Sequence, residues 1–217
     1  MSLEWWKLVI AFVSAVMSGV LVHIAKDAFA ESRTLKQKRA ALWKACAIES
    51  AWSEEALAGI EWSRDRTREL KTLGSSPLMP SLSAELARPL ATLDPSNIEI
   101  YAELILAESH AQHRGRMVHA ELERFGRLAS SEERRLTVGL VDAELAALAR
   151  TTVALAKAHL KVMRVLRDSV QPDEAVKPLQ ATETACSAME ERVDRWDQEY
   201  AALIGQEPDS LRPSKMD

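Results

Sequence analysis

Residues 141–166 read VDAELAALARTTVALAKAHLKVMRVL. Val141, Leu145, Leu148, Thr152, Leu155, His159, Val162 and Leu166 recur in alternating steps of four and three. With 3.6 residues per turn, that spacing puts them all on one side of an α-helix, and a seam held over about four heptads needs a partner helix along its length. Ala147, Ala154, Ala158 and Val165 widen the stripe, so the helix is expected to touch two neighbours. Ser130 with Glu133 three residues on forms the capping-box pattern that opens such a helix. Gln171-Pro172 stops it, because proline lacks the N–H that the next turn requires. Strand-like alternation with period two persists nowhere in the chain, so the expected fold is all-α.

Working outward, three more long helices read from the same logic. One runs from the amino-terminal segment to about Leu73, where Gly74, Ser75, Ser76 and Pro77 break it; its apolar positions include Leu35, Leu42, Ala45, Trp52, Ala56 and Ile60. Trp43 and Trp62 fall on other faces, which predicts cover on more than one side. Residues 74–96 form an irregular insert with Pro77, Pro80, Pro89 and Pro95, leaving room for one short helix over residues 82–93. Asp94-Pro95 reads as an N-cap followed by proline at the first helical position. The helix after it carries Ile100, Leu104, Ala107, Ala111, Val118, Leu122 and Phe125, and ends near Ala129. The last helix starts near Asp173, passes Pro178, and carries Leu179, Thr182, Cys186, Met189, Val193, Trp196, Tyr200 and Leu203, with Gly205 as its C-cap. Residues 206–217 are polar, contain two prolines, and read as a disordered tail. Helices of comparable length with short links favour an elongated antiparallel four-helix bundle over residues 31–205, rather than coiled coils between chains.

The amino-terminal segment, WWKLVIAFVSAVMSGVLVHIAKDAF at residues 5–29, has no formally charged side chain from Leu8 to Ile24. Together with its flanks it approaches the roughly 20 apolar residues that span a bilayer. Ala28-Phe29-Ala30 resembles a signal-peptide cleavage site, but Glu4 in the leading region and His23, Lys26 and Asp27 before the site argue for an uncleaved signal-anchor over residues 1–30. Lys26, Arg33, Lys36, Lys38, Arg39 and Lys44 follow the segment, against Lys7 before it. The positive-inside bias therefore places the amino terminus outside and the bundle in the cytoplasm. The Ala- and Arg-rich composition suggests a bacterial source, and with that topology the expected location is the inner membrane. Trp5 and Trp6, with Lys26, Arg33, Lys36, Lys38 and Arg39, are expected to contact lipid headgroups. Ala11, Ala15 and Gly19 lie four apart, the small-residue spacing through which transmembrane helices associate, so a homo-oligomer is one expected partner state.

Candidate chemistry is sparse. The net charge of −4 argues against a general nucleic-acid binder. Cys46 and Cys186 lie far apart and read as two buried thiols; no Cys/His spacing suits zinc. His110, His113 and His119 read as part of a solvated face, because no histidine has the preceding Glu of a di-iron bundle motif. His159 sits in the long seam and is the candidate pH-sensitive core residue. No phosphate-binding loop, dinucleotide turn or nucleophile elbow is present. The expectation is a non-enzymatic, cofactor-free interaction or scaffold module with membrane lipids and an unidentified protein as partners. The alternative is a membrane effector or sensor whose bundle controls association of the transmembrane helices. A secreted bundle would require cleavage after Ala30.

Overall fold

The heptad stripes build a sequence of helices that alternate in direction. The computed structural model describes the backbone of residues 3–71 and 82–205, and the side chains of residues 33–71 and 82–199. The described elements are α1 (Leu3–Arg68), α2 (Leu82–Leu93), α3 (Ile98–Arg127), α4 (Ser131–Val165) and α5 (Pro172–Gly205), with short 3-10 turns at Pro95–Asn97 and Arg167–Ser169. The Trp43 indole donates to the Met163 carbonyl at 2.9 Å while Arg64 meets Asp142 at 2.8 Å, so α1 and α4 are antiparallel. Glu49 meets the first turn of α2 and Arg39 meets Asp94 just beyond its end, so α2 runs back along α1. Ion pairs Lys161–Glu103 and Arg114–Glu144 set α3 antiparallel to α4. Lys44–Glu174 and Arg192–Glu61 set α5 parallel to α1.

To the four long helices is added the short one expected over residues 82–93, α2, whose Ser83, Ala84, Ala87 and Leu90 are buried at helical spacing. It packs against both α1 and α3, which make no backbone approach to each other among the described residues. The seam of α4 is buried at every expected position, and α4 packs against α1, α3 and α5. The widening residues differ from expectation: Ala154 and Val165 are exposed, while Ala149, Ala156 and Met163 are buried. On α1, Trp52 and Trp62 are exposed, the latter with the Arg66 guanidinium over its ring; Trp43 is buried.

Helix ends also depart from the expected ones. The first helix stops at Arg68 rather than Leu73, because Leu70 adopts a left-handed φ of 58° and Lys71 N–H donates to the Arg66 carbonyl at 2.9 Å. The Arg134 guanidinium donates to the carbonyls of Leu70 and Leu128, closing the carboxyl ends of α1 and α3 together. Asp94 makes no capping bond to the backbone, and α3 proper begins only at Ile98. The capping box of α4 forms as expected, with Glu133 N–H donating to Ser130 Oγ at 3.1 Å and Ser130 N–H to Glu133 Oε2 at 3.3 Å.

Among the described residues no helix is long and apolar enough to cross a membrane. The anchor expectation rests on residues 1–30, whose side chains lie outside those described; Trp5, Trp6, Ala11, Ala15, Gly19 and Lys26 are among them. The side chains of Tyr200 and Leu203 and the whole of residues 206–217 lie outside them too.

Two apolar cores follow one another along the bundle. The proximal core, nearer residue 33, gathers Leu42, Trp43, Leu90, Tyr101, Leu104 and Val162. The distal core gathers Leu57, Ile60, Phe125, Leu145, Met189 and Trp196. At the level between them α1 presents Glu49, Ser50 and Ser53 inward, all buried.

Candidate functional site

The α1 seam runs Leu42, Cys46, Glu49, Ser53, Ala56, Ile60, Ser63 and Thr67, every one buried. Its heptad spacing holds while its polarity does not. The α3 seam behaves alike, with Glu108 buried between Leu104 and Ala111. Two carboxylates, Glu49 and Glu108, therefore enter the interior at the level where His159 enters from α4. The fourth contributor is the start of α2. The first N–H groups of a helix have no partner within it and carry the positive end of its dipole. Here Leu82 and Ser83 N–H donate to Glu49 Oε1 at 2.7 and 3.0 Å, and Ala84 N–H donates to Glu108 Oε2 at 3.1 Å. Carboxylates from two other helices thus seat the amino terminus of α2.

His159 completes the layer. It is fully buried, and its Nε2 lies 3.2 Å from Glu49 Oε2 and 3.1 Å from Ser83 Oγ. Its Nδ1 is buried without a partner. Burial alone would push the Glu49 carboxyl up; the hydrogen bonds from His159 and Ser83 outweigh it and hold the group below its ordinary value. Serine, histidine and glutamate in contact raise the question of a nucleophile. A triad needs the serine and the acid on opposite ring nitrogens, so that one orients the ring while the other gives up its proton. Both contacts here fall on Nε2, and the ring is sealed from solvent. The cluster therefore lacks the arrangement of a triad and holds a carboxylate in the interior. Cys46 sits within its field: burial first, then the charges of Glu49 and Glu108, push the thiol well up, which disfavours the thiolate. Burial, with the nearby Glu190, also raises the Cys186 thiol, and both cysteines are free and buried.

A second polar centre lies at the turn between α2 and α3. Asp94, 2% exposed, accepts a two-pronged bond from Arg39 (Nε to Oδ2 2.8 Å, Nη2 to Oδ1 2.6 Å). It also accepts from Ser96 Oγ at 2.8 Å, Asn97 Nδ2 at 3.0 Å and the Tyr101 hydroxyl at 2.5 Å. Burial would raise this carboxyl; its donors, led by Arg39, hold it far below the usual carboxylate range. The Tyr101 phenol is pushed well up by burial and by its bond to Asp94.

The expected residues distribute unevenly around these centres. His159 sits in the middle layer. Arg33, Lys36 and Lys38 are exposed on the proximal part of α1, whereas Arg39 turns inward to Asp94. His110 and His113 are exposed on α3, and His119 pairs with Glu123 at 3.2 Å. Among the described residues no group of three or more His, Cys, Asp or Glu is arranged to hold a metal ion. Glu49, Ser83, Glu108 and Asp94 were not anticipated as site residues. For Glu49 and Glu108 the signal was a charged residue falling on a heptad position. Compared with known proteins, the chain matches no family model, no curated sequence and no solved structure.

Proposed function

We propose that this chain is a membrane-anchored helical-bundle protein that binds or organises other proteins at a bacterial inner membrane, with its bundle in the cytoplasm. The observation that carries the reading is the continuity of α1 from Leu3 to Arg68. The apolar run Leu8–Ile24 and the bundle wall that holds Leu42, Glu49 and Ile60 belong to one helix, with no hinge residue between them. From residue 31 to Arg68 that helix extends roughly 55 Å at the α-helical rise. The bundle is therefore fixed in orientation relative to whatever holds the amino-terminal run. The exposure of Arg33, Lys36 and Lys38 supports a headgroup contact just beyond it.

Two measurements test this reading. A phosphatase or fluorescent reporter fused after Asp217 is expected to report a cytoplasmic carboxyl terminus, and activity outside the cytoplasm would overturn the topology. Detergent extraction of the full chain followed by affinity capture is expected to recover a protein in fixed stoichiometry whose binding is lost on removing residues 31–205.

A second reading, a sensor or effector whose bundle controls association of the amino-terminal helices, is favoured by one observation. Glu49, which meets His159 of α4 in the interior, lies on the helix that continues into the apolar run. Gly19→Leu is expected to change crosslinked oligomers and membrane leakage if this reading holds; no change in either leaves the scaffold reading.

A further inference from the structure

Arg64 and Trp196 meet at the distal end, where α1 and α5 run side by side. The guanidinium lies over the indole ring, 4.1 Å from its centroid. Arg64 Nε donates to Asp142 Oδ1 at 2.8 Å and Nη1 to Glu199 Oε2 at 3.2 Å. Its remaining nitrogen, Nη2, is buried with no acceptor, and so is the indole Nε1 of Trp196. The two residues are 7% and 3% exposed. Native interiors rarely leave donors unpaired, since a buried donor that has lost its water must find another acceptor. Two together, on residues that line one groove, call for an acceptor.

The groove has a volume of about 370 Å³, within the range of small-ligand pockets, and its rim includes Arg68, Arg192, Arg195 and Glu61. Glu199 belongs to it and shows which chemistry it holds. This carboxylate is 61% exposed, yet it reaches back to Arg64 Nη1 and lies 3.9 Å from Arg68 Nη1. A solvent-facing pair of this kind is worth little and exchanges readily. Glu61 is paired to Arg192, Asp142 is paired to Arg64, and Asp65 also lines the groove. Once Glu199 leaves, the guanidiniums of Arg64, Arg68, Arg192 and Arg195 exceed these remaining carboxylates by one, which suits a single carboxylate better than a doubly charged phosphate. We propose that the groove is a carboxylate-binding site in which Glu199 is the resident stand-in. An incoming carboxylate displaces Glu199 from the guanidinium pair and accepts from Arg64 Nη2 and Trp196 Nε1. The site is independent of the membrane reading, because every residue in it lies on the distal end of the bundle.

The test uses the full chain in detergent micelles, with the six tryptophan indole N–H signals read by NMR and that of Trp196 assigned by its loss in Trp196→Phe. Titrations use a Glu-rich peptide, glutarate and inorganic phosphate. A saturable shift of the Trp196 signal by a carboxylate probe is expected. Saturation by the peptide alone assigns the ligand to an acidic segment of a protein; saturation by glutarate as well assigns it to a free carboxylate. Glu199→Gln is expected to tighten binding by about fivefold, by removing the competitor. Arg68→Gln, at a partly exposed position, is expected to weaken it by about tenfold without altering the far-ultraviolet spectrum. No shift of the Trp196 signal by either carboxylate, an unchanged affinity in Glu199→Gln, or phosphate binding as tight as carboxylate would each overturn the assignment.

Discussion

Asp94 and Glu49 are both buried carboxylates, and they are held in different ways. Asp94 accepts five hydrogen bonds, two of them from a guanidinium that keeps its charge at any working pH. Three of its partners, Ser96, Asn97 and Tyr101, lie within one helical turn or two of it in sequence. Glu49 accepts from two backbone N–H groups and faces a histidine, and that histidine leaves one ring nitrogen unpaired. The first arrangement is a lock. The second joins α1, α2 and α4 through two backbone donors and an imidazole rather than a guanidinium. Burial alone says nothing about this difference; the identity of the counter-group decides it.

The comparison is broken most directly at the lock. Asp94→Ala is expected to cost about 3–4 kcal/mol, because it removes the hub and leaves Arg39 and Tyr101 facing inward without an acceptor. In a chain of this size that lowers the thermal midpoint by roughly 10 °C, read by circular dichroism. A loss under about 1 kcal/mol would mean that the five bonds are merely local decoration.

Glu49→Gln is expected to cost less, about 2 kcal/mol, since the amide still accepts from the α2 backbone but no longer presents a carboxylate to His159. Its distinctive readout is local: amide exchange at Leu82, Ser83 and Ala84 speeds up more than exchange in α4. Uniform acceleration through the whole bundle would contradict the seating of α2 by this carboxylate.

Acid titration sharpens the contrast. Both carboxyls are lowered in the folded state, Glu49 from an ordinary 4.5 and Asp94 from an ordinary 3.8. A lowered carboxyl stabilises fully above its unfolded value, and the contribution is lost as pH falls through the folded value. Stability is therefore expected to fall below about pH 4.5, first through Glu49, with Asp94 resisting to lower pH. In Glu49→Gln the upper part of that decline should flatten while the lower part remains. A pH profile identical to the wild type would sink the assignment.

Exposed sites set the lower end of the scale. Ser130→Ala removes one half of the α4 capping box and is expected to cost about 1 kcal/mol, measured by urea unfolding. Arg150→Ala breaks the exposed pair with Asp197 and is expected to change stability by under about 0.5 kcal/mol. A larger effect at Arg150 than at Ser130 would show that surface pairs carry more here than their exposure allows.

The seam of α4 was legible because this helix packs against three others, so its buried positions are mostly apolar, with Thr152 and His159 as the polar members of the repeat. The seams of α1 and α3 were legible in spacing but not in polarity. Counting apolar residues placed Trp52 inside and passed over Glu49 and Glu108, although 42, 46, 49, 53, 56 and 60 keep the same four-three rhythm as α4. A carboxylate on such a position enters the core only where another element brings donors, and those donors here are the first N–H groups of α2 and a histidine 110 positions away. That pairing is tertiary information. The capping box was legible because its two members, Ser130 and Glu133, lie three positions apart in the chain. The Asp94 hub was half legible: the Asp-Pro pair marked the helix start, but Arg39, which redirects the carboxylate from the backbone, comes from another helix.

The polar layer between the two cores also fixes axial register. An all-apolar seam would let α1 slide past α4 by one heptad, about 10 Å, at small cost, since one aliphatic layer resembles the next. Here such a slide would set Glu49 against leucine and strand His159 among alkyl groups. A one-heptad piston slip of α1 against α4 is thereby disfavoured, and the part of α1 within the bundle is held to move with α4 as a body.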